Sequence, residues 1–381
     1  MLLTLTLLSA QAATVYTGST EAFDAVKVDV GGYVQPRFTL EQQDASVGHS
    51  GELGFAVRRA RLETGASFTR SGKGLALGLS LETMPDARLQ DAWAELRLAD
   101  PLCLRVGQFK SPSTRWMLIS STATLLQDGP AIEDLAPKRE IGAQLGGFLG
   151  EHHLDWGFGA FNGEKTNREA NVDRNLLYAG RVAVSPLGAS SKVVDVLPSD
   201  WSLHGGDAPP DTRNPQATFT LGARGFRNLL GAEGTGEGQW GLGLELFAHY
   251  RWINLQGEWM TGQTDWEDVA IADYKSGGFY GQLALFPPMV PWAQDHLALV
   301  GRFEQSDAQD PLVEGSVPLV SATDPAQERR EILAGLVLFA GEPWFKGLHS
   351  AKVQLSYAFR QELEGLPYAN DELLLASQLA F

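Results

Sequence analysis

The sequence is short of cysteine, of positive charge and of long apolar runs, and each shortage excludes a class of protein. Cys103 is the single cysteine among 381 residues, which excludes a disulfide framework and a cysteine-based zinc site. The 30 basic residues are outnumbered by 46 acidic ones, and a net charge of −16 argues against a nucleic-acid partner. No window approaches the length of apolar sequence that a transmembrane helix needs, so such a helix is excluded.

What remains is the composition of a folded protein rich in glycine. Hydrophobic residues make up 44% of the chain, too many for a disordered segment, and the length allows one large domain. The mean hydropathy of −0.13 resembles that of a soluble protein. The same average fits a membrane β-barrel, because the inner half of each of its strands is polar.

The first twelve residues predict an export signal. They form an apolar stretch that ends in Ala10, Gln11 and Ala12, an A-x-A pattern that places cleavage before Ala13. The basic residues that usually open such a signal are missing, which leaves open a start upstream of Met1. A hydrophobic first strand is the alternative interpretation. We therefore predict a signal peptide over 1–12 and a single barrel domain over 13–381.

The dominant pattern beyond this stretch is alternation with a period of two. Between Gly74 and Glu82 every odd position is leucine, and the even positions hold glycine, alanine, serine or glutamate. The same alternation recurs over 154–160, 242–246 and 353–360. A soluble β-sandwich also alternates, but its polar face is normally rich in lysine, threonine and glutamate. Small residues with isolated charges instead indicate a wall between lipid and a crowded wet interior.

Sixteen segments of this kind predict an all-β fold, a transmembrane antiparallel β-barrel. They lie at about 27–39, 53–63, 73–83, 89–98, 102–109, 139–149, 154–162, 177–186, 217–227, 241–249, 251–262, 277–286, 297–305, 331–340, 350–360 and 372–381. Connections on one side are mostly short and those on the other long, the pattern of bacterial outer-membrane barrels. Segment 187–216 is long yet falls on the short side. It is either a periplasmic insertion or a missed hairpin, which would make eighteen strands.

No group of residues in the sequence has the spacing of a catalytic or metal site. None of the seven histidines forms an HExxH pair, and His152–His153 is better explained as a turn. We therefore predict that the protein is not an enzyme and that it needs no metal or cofactor.

Assigning the polar face of each strand to the interior predicts a passage lined by arginine. The interior arginines on this basis are Arg37, Arg97, Arg105, Arg181, Arg224 and Arg302. In the segment 55–62, alternation cannot place three arginines on one face without a bulge, so we expect Arg59 and Arg61 inside and Arg58 at an interface. Carboxylates such as Glu82, Glu95 and Glu245 fall inside as well. Anion selectivity and an electrically mixed, internally paired lumen are therefore equally supported.

The longest loop between well-formed strands, 110–138, is expected to fold inward and narrow the passage. Its middle is apolar and rich in serine and threonine, which suits packing on the inner wall better than exposure to solvent. We expect its charged residues to border the constriction. They are Lys110, Arg115, Asp128, Glu133, Asp134 and Lys138.

Several motifs together resemble the phosphate-selective porin O and P family. They are GYVQPRF at 32–38, FAVRRARL at 55–62, DAW at 91–93, RVGQFKSP at 105–112, REIG at 139–142, FNG at 161–163, GRV at 180–182, GFY at 278–280 and the terminal Phe381. The resemblance covers nearly the whole mature chain, and RVGQFKSP after RRARL is its most specific part. The chain departs from the family in its acidity and its many interior carboxylates.

This resemblance implies a sixteen-stranded barrel in the bacterial outer membrane that conducts phosphate or other small anions, usually as a homotrimer. Carried over to matching positions, the anion-binding candidates are Arg37, Arg58, Arg59, Arg61, Arg105 and Lys110, and the interior position of Arg181 adds it to this set. A non-selective or cation-preferring porin and a secreted soluble β-protein remain the alternatives.

Overall fold

The computed structural model describes most of the chain in detail. The described residues are 13–46, 48–71, 73–99, 101–150, 152–168, 171, 174–187, 217–229, 237–250, 252–266, 274–287, 296–311, 328–340, 351–363 and 368–381. The proposed signal peptide over 1–12 lies outside them. No helix among them is long and apolar enough to cross a membrane.

Alternating leucine and small residues produce sixteen antiparallel strands that close into a ring. The strands are β2 (Ala25–Glu41), β3 (Leu53–Arg70), β4 (Lys73–Met84), β5 (Arg88–Ala99), β6 (Leu102–Lys110), β7 (Arg139–Leu149), β8 (Leu154–Phe161), β9 (Leu177–Val184), β10 (Thr218–Leu229), β11 (Glu237–Tyr250), β12 (Ile253–Trp266), β13 (Tyr274–Leu285), β14 (Leu297–Pro311), β15 (Arg329–Phe339), β16 (Ala351–Glu362) and β17 (Glu372–Ala380). Each strand pairs with the next along the chain, and β17 pairs with β2 to close the barrel. The predicted barrel of sixteen strands is confirmed.

A further strand, β1 (Ala13–Gly18), was not predicted from the sequence. It pairs with the half of β2 that β17 leaves free, so that Ala13 lies opposite Val30. Directly beyond it, Phe381 and Gly32 exchange two backbone hydrogen bonds of 2.9 and 3.1 Å. β1 therefore continues the line of β17 along the edge of β2 and adds no strand to the ring.

The connection between β9 and β10 contains the segment that sequence patterns left ambiguous. Residues 188–216 lie outside the described residues. However, β9 pairs directly with β10 in an unbroken register from Leu177 opposite Asn228 to Val184 opposite Leu221. The sheet therefore has no place for an additional hairpin between them, and sixteen is the count of barrel strands.

The two faces of the wall differ as the alternation predicts. Leu77, Leu79 and Leu81 on β4 are 42%, 38% and 39% exposed on the outer surface. Glu95 and Arg105, which point into the barrel, are buried. The outward leucines of the strands do not pack against one another, which excludes a soluble β-sandwich.

Between β6 and β7 the chain folds into the barrel, as expected. We call residues 111–138 the constriction loop; it contains the helix α1 (Arg115–Leu118) and a short 3₁₀ helix (Ala131–Leu135). Its apolar residues Leu125, Leu126 and Ile132 are fully buried within a cluster formed with inward side chains of the wall. Burial of this apolar surface supplies the main attraction that holds the loop inside.

Candidate functional site

One end of the constriction loop is fixed to the wall by a single buried carboxylate. Thr114 caps α1 through its hydroxyl, which accepts a hydrogen bond of 3.1 Å from the Met117 amide. The amides of Arg115 and Trp116 donate to the two carboxylate oxygens of Glu258 at 2.8 and 2.9 Å. Glu258, on β12, is therefore positioned to hold α1 of the loop at a fixed depth inside the barrel.

Two wall residues complete the environment of Glu258. The Tyr280 hydroxyl donates to it at 2.9 Å, and an Arg224 guanidinium nitrogen forms a short hydrogen bond with it. Both are buried. Such a carboxylate is stable in the interior because each oxygen accepts hydrogen bonds and a guanidinium balances its charge.

The far side of the loop is fixed by donors from β16 and β17. The Lys352 ammonium donates to the backbone carbonyl of Thr122 at 2.8 Å, and the Gln354 amide donates to that of Leu125 at 2.7 Å. Gln378 adds a hydrogen bond of 3.0 Å to the carbonyl of Thr122. The loop is thus attached to the wall on the side formed by β12 to β17, and the space that remains lies beside β3 to β7.

That space contains a cavity of about 370 Å³ with a strongly positive lining. One side is the constriction loop, with Trp116, Met117 and Glu133. The cationic side chains that line the cavity are Arg58, Arg59, Arg61, Arg88, Lys110, Lys138 and Arg139. Among the described residues, Glu133 is the one carboxylate in the lining. We call this space the basic cavity.

A β-bulge brings three arginines of β3 to the same cavity. Gln35 pairs with Arg59, but the next residue, Pro36, pairs with Val57, so Arg58 is the extra residue. Pro36 has no N–H to donate to the ladder, which suits it to a bulge. The expectation that Arg58 lies at an interface is therefore wrong, because the bulge breaks the alternation on which it relied.

Carboxylates outside the lining of the basic cavity pair with several of these cations and hold them in place. Glu82 accepts a hydrogen bond of 2.7 Å from Arg61, and Asp91 binds the Arg139 guanidinium through two bonds of 2.9 and 3.1 Å. Asp128, on the loop, lies 2.8 Å from an Arg58 nitrogen. The lumen therefore contains many ion pairs, while the surface that faces the cavity is dominated by cations.

A smaller cavity of about 70 Å³ continues toward the short-turn end of the barrel. It shares Arg61, Lys110, Ser121 and Arg139 with the basic cavity. Its own lining includes Arg105, whose guanidinium lies 4.4 Å from the centre of the Trp93 ring. The shared residues flank the passage between the two spaces.

Three further residues singled out in the sequence, Arg37, Arg181 and Arg115, are not in the lining of the basic cavity. Arg37 lies 3.9 Å from Asp128 and 3.8 Å from Glu52. Arg181 is buried in an ion pair with Glu245. Arg115, in α1 of the constriction loop, is fully buried, with its guanidinium over the Phe247 ring of the wall.

Sequence reasoning missed two cations of the lining, Arg88 and Arg139. Arg88 precedes the segment in which alternation was recognised, and Arg139 opens its segment, so neither had neighbours on both sides to fix its face. Arg139 does belong to a motif of the resemblance, which is the signal that could have identified it.

Glu133 has an unusual environment for a carboxylate. It lies in the 3₁₀ helix of the loop, and burial raises its pKa to about 7. The Lys138 ammonium opposes this increase, and the nearby Asp134 and Glu258 add to it. The charge of the basic cavity therefore changes near neutral pH.

Comparison with known proteins supports the resemblance. The sequence profile described as phosphate-selective porin O and P matches residues 28–292. No curated protein sequence matches the chain.

Three solved structures illustrate the similarity of fold. An anion-selective porin from Comamonas acidovorans has a TM-score of 0.61 and 11% identity, covering 93% of this chain and 100% of its own. The in-vitro folded trimer form of OmpT, from Vibrio cholerae, has a TM-score of 0.58 and 9% identity, covering 94% and 100%. The outer-membrane channel DcaP of Acinetobacter baumannii has a TM-score of 0.59 and 10% identity, covering 96% and 100%.

Proposed function

This chain belongs to the phosphate-selective porin O and P family, and from that premise we propose that it passes small anions, phosphate-like ones among them, in preference to cations. It is a porin of the bacterial outer membrane. The observation that carries the proposal is the basic cavity, in which seven cations form the lining and Glu133 is the one carboxylate in that lining among the described residues. Arginine stays charged at any physiological pH, so this lining attracts anions permanently.

The ion preference can be measured directly in planar bilayers. In a potassium chloride gradient we expect the reversal potential to have the sign of a channel that is more permeable to chloride than to potassium. Phosphate added to the potassium chloride solution is expected to reduce the chloride current, because guanidinium groups bind phosphate through paired hydrogen bonds. A reversal potential of the opposite sign would establish the cation-preferring alternative and end the proposal.

We also propose that the protein assembles as a homotrimer, with the outward leucine rows in contact with outer-membrane lipid. The support is the family and the trimer form of the similar OmpT structure. The same bilayer recordings test it, because three identical channels in one particle close in three equal conductance steps. Single steps throughout would favour a monomer.

The raised pKa of Glu133 predicts a pH-dependent ion preference. Below its pKa of about 7 the carboxyl is neutral, and the basic cavity loses the carboxylate of its lining. Lowering the pH from about 8.5 to about 5.5 is expected to raise the anion-to-cation permeability ratio about fivefold, because a unit charge ~8 Å away in water contributes roughly 0.5 kcal/mol to each ion, with opposite sign for the anion and the cation. Reversal potentials across this range measure the ratio.

The control for this prediction is Glu133→Gln, which has no charge to lose. Its permeability ratio should stay at the low-pH value throughout. If it shows the same pH dependence as the unmodified protein, another group is responsible and Glu133 is not the titrating residue.

A further inference from the structure

The chain after β8 turns into the barrel. The segment 162–168 begins with a hydrogen bond of 2.8 Å from the Asn162 amide to the Ile141 carbonyl. Its backbone has positive φ at Gly163 (81°), Lys165 (71°) and Asn167 (62°). Left-handed backbone is disfavoured for a residue such as Lys165, so the surrounding contacts must hold this shape.

Two buried side chains of the inner wall provide those contacts. Gln108, on β6, donates from its amide nitrogen to the Asn167 side-chain oxygen at 3.0 Å and accepts from the Asn167 backbone amide at 2.8 Å. Glu140, on β7, accepts from the Lys165 amide with both oxygens, at 3.1 and 3.2 Å. Both wall residues are less than 5% exposed. Polar groups buried in this way need partners, and the segment supplies them.

Two weaker contacts extend the attachment. The Asn228 amide, from β10, donates to the Gly163 carbonyl at 3.3 Å. The Thr166 hydroxyl donates to the carbonyl of Arg139 at 3.4 Å. The segment therefore lies against three strands inside the barrel, and is not a loop that projects from it.

We propose that residues 162–168, which we call the strap, form a second inward segment that borders the ion passage opposite the constriction loop. Thr166 lines the basic cavity together with Arg88 and Lys110 and is a specificity-determining position. Gln108 is a positioning residue, because it acts through Asn167. The inference rests on the proposed function for the identity of the permeant ion, but the placement of Thr166 in the passage does not depend on it.

A cysteine at position 166 tests the placement. The background is Cys103→Ser, and Thr166→Cys is treated with 2-sulfonatoethyl methanethiosulfonate during a bilayer recording. The introduced thiolate attacks the sulfenyl sulfur, a disulfide forms, and methanesulfinate leaves with the electron pair of the broken S–S bond. The attached sulfonate is expected to reduce the chloride current about twofold, as a unit negative charge ~8 Å from the ion would.

The matched control is Ser46→Cys in the same background, an exposed position in the loop between β2 and β3. Its modification should leave the current unchanged. If the reagent labels Thr166→Cys, as mass spectrometry would show, without reducing the current, the strap does not border the passage and the inference is wrong.

The role of Gln108 is tested by adding Gln108→Ala to Thr166→Cys. A strap freed from the wall is still modified but blocks less, so the fractional reduction of current should fall. Gln144→Ala, a buried glutamine on β7 of the same inner wall, should leave the block intact. An undiminished block in Gln108→Ala would refute the positioning role.

These outcomes are independent of the proposed ion preference. A cation-preferring reversal potential in the unmodified protein would refute the proposed function, while a change of current on modification of Thr166→Cys would still place the strap in the passage. An anion-preferring protein whose current is insensitive to that modification would refute the strap alone.

Discussion

Replacing Arg88 and Lys138 together with glutamate is expected to abolish or reverse the ion preference of the channel. Both side chains line the basic cavity and both are exposed, so their substitution leaves the buried ion pairs intact. Because each positive side chain is replaced by a negative one, the charge of the cavity lining changes by four units. At roughly 0.5 kcal/mol for each charge ~8 Å from the ion, the anion is destabilised by about 2 kcal/mol and the cation stabilised by about as much, so the permeability ratio should shift by roughly three orders of magnitude toward cations. Reversal potentials in a potassium chloride gradient measure it.

A control with the same change in charge is available at the periplasmic end. Arg70 and Lys73 are exposed partners across the turn between β3 and β4, far along both strands from the cavity. Arg70→Glu with Lys73→Glu should change the reversal potential little, because solvent and salt screen charges beyond about 10 Å. Equal shifts in both double variants would mean that net charge, and not the basic cavity, determines the preference.

The acidity of the chain is compatible with an anion passage once the positions of the carboxylates are known. A net charge of −16 counts every carboxylate equally. In a narrow passage, however, the nearest charges determine the potential that an ion meets. Glu82 and Asp91 contact Arg61 and Arg139, and neither carboxylate is in the lining of the basic cavity, although Asp91 lines the smaller cavity. They hold the guanidinium groups in position and reduce their charge without replacing them at the surface.

The sequence predicted the barrel because a single physical rule acts on every strand. A wall between lipid and water requires alternation with a period of two. The apolar residues of β4 or β16 therefore show which face of the strand meets lipid, even when the neighbouring strands are unknown. The inward constriction loop could also be predicted. Its apolar middle, with Leu125 and Leu126, has no other place to be buried.

Details that depend on pairing between strands could not be obtained in the same way. The bulge at Arg58 arises from the register of β3 against β2, which periodicity along one strand does not contain. The strand β1 has few residues and forms along the part of β2 that β17 leaves unpaired. The strap depends on Gln108 and Glu140, which come from two other strands. In each case the feature depends on contacts with another strand, which the pattern within one segment does not contain.

The constriction loop itself is expected to lose its fixed position when Glu258 is replaced by alanine. The substitution removes acceptors for the amides of Arg115 and Trp116 and breaks the short bond to the Arg224 guanidinium, which keeps only the more distant Glu245, at 3.8 Å, among its described ion pairs. Breaking a buried ion pair costs about 3–5 kcal/mol, so the folded barrel should denature at a lower temperature. A loop released at one end should also widen the passage, which raises single-channel conductance and current noise.

Loss of stability alone must be separated from release of the loop. Asp29→Ala removes another buried carboxylate, which pairs with Lys27 on β2, accepts a hydrogen bond from the Thr14 hydroxyl on β1 and lines neither cavity. It should lower the denaturation temperature of the folded barrel on heated gels, but leave the conductance unchanged. Recording in about 1 M salt, where the Debye length is about 3 Å, makes conductance report width more than charge. If Glu258→Ala is destabilised yet conducts like the unmodified protein, the apolar cluster around Leu125 and Ile132 and the donors of β16 and β17 are sufficient to hold the loop, and the carboxylate contributes to stability alone.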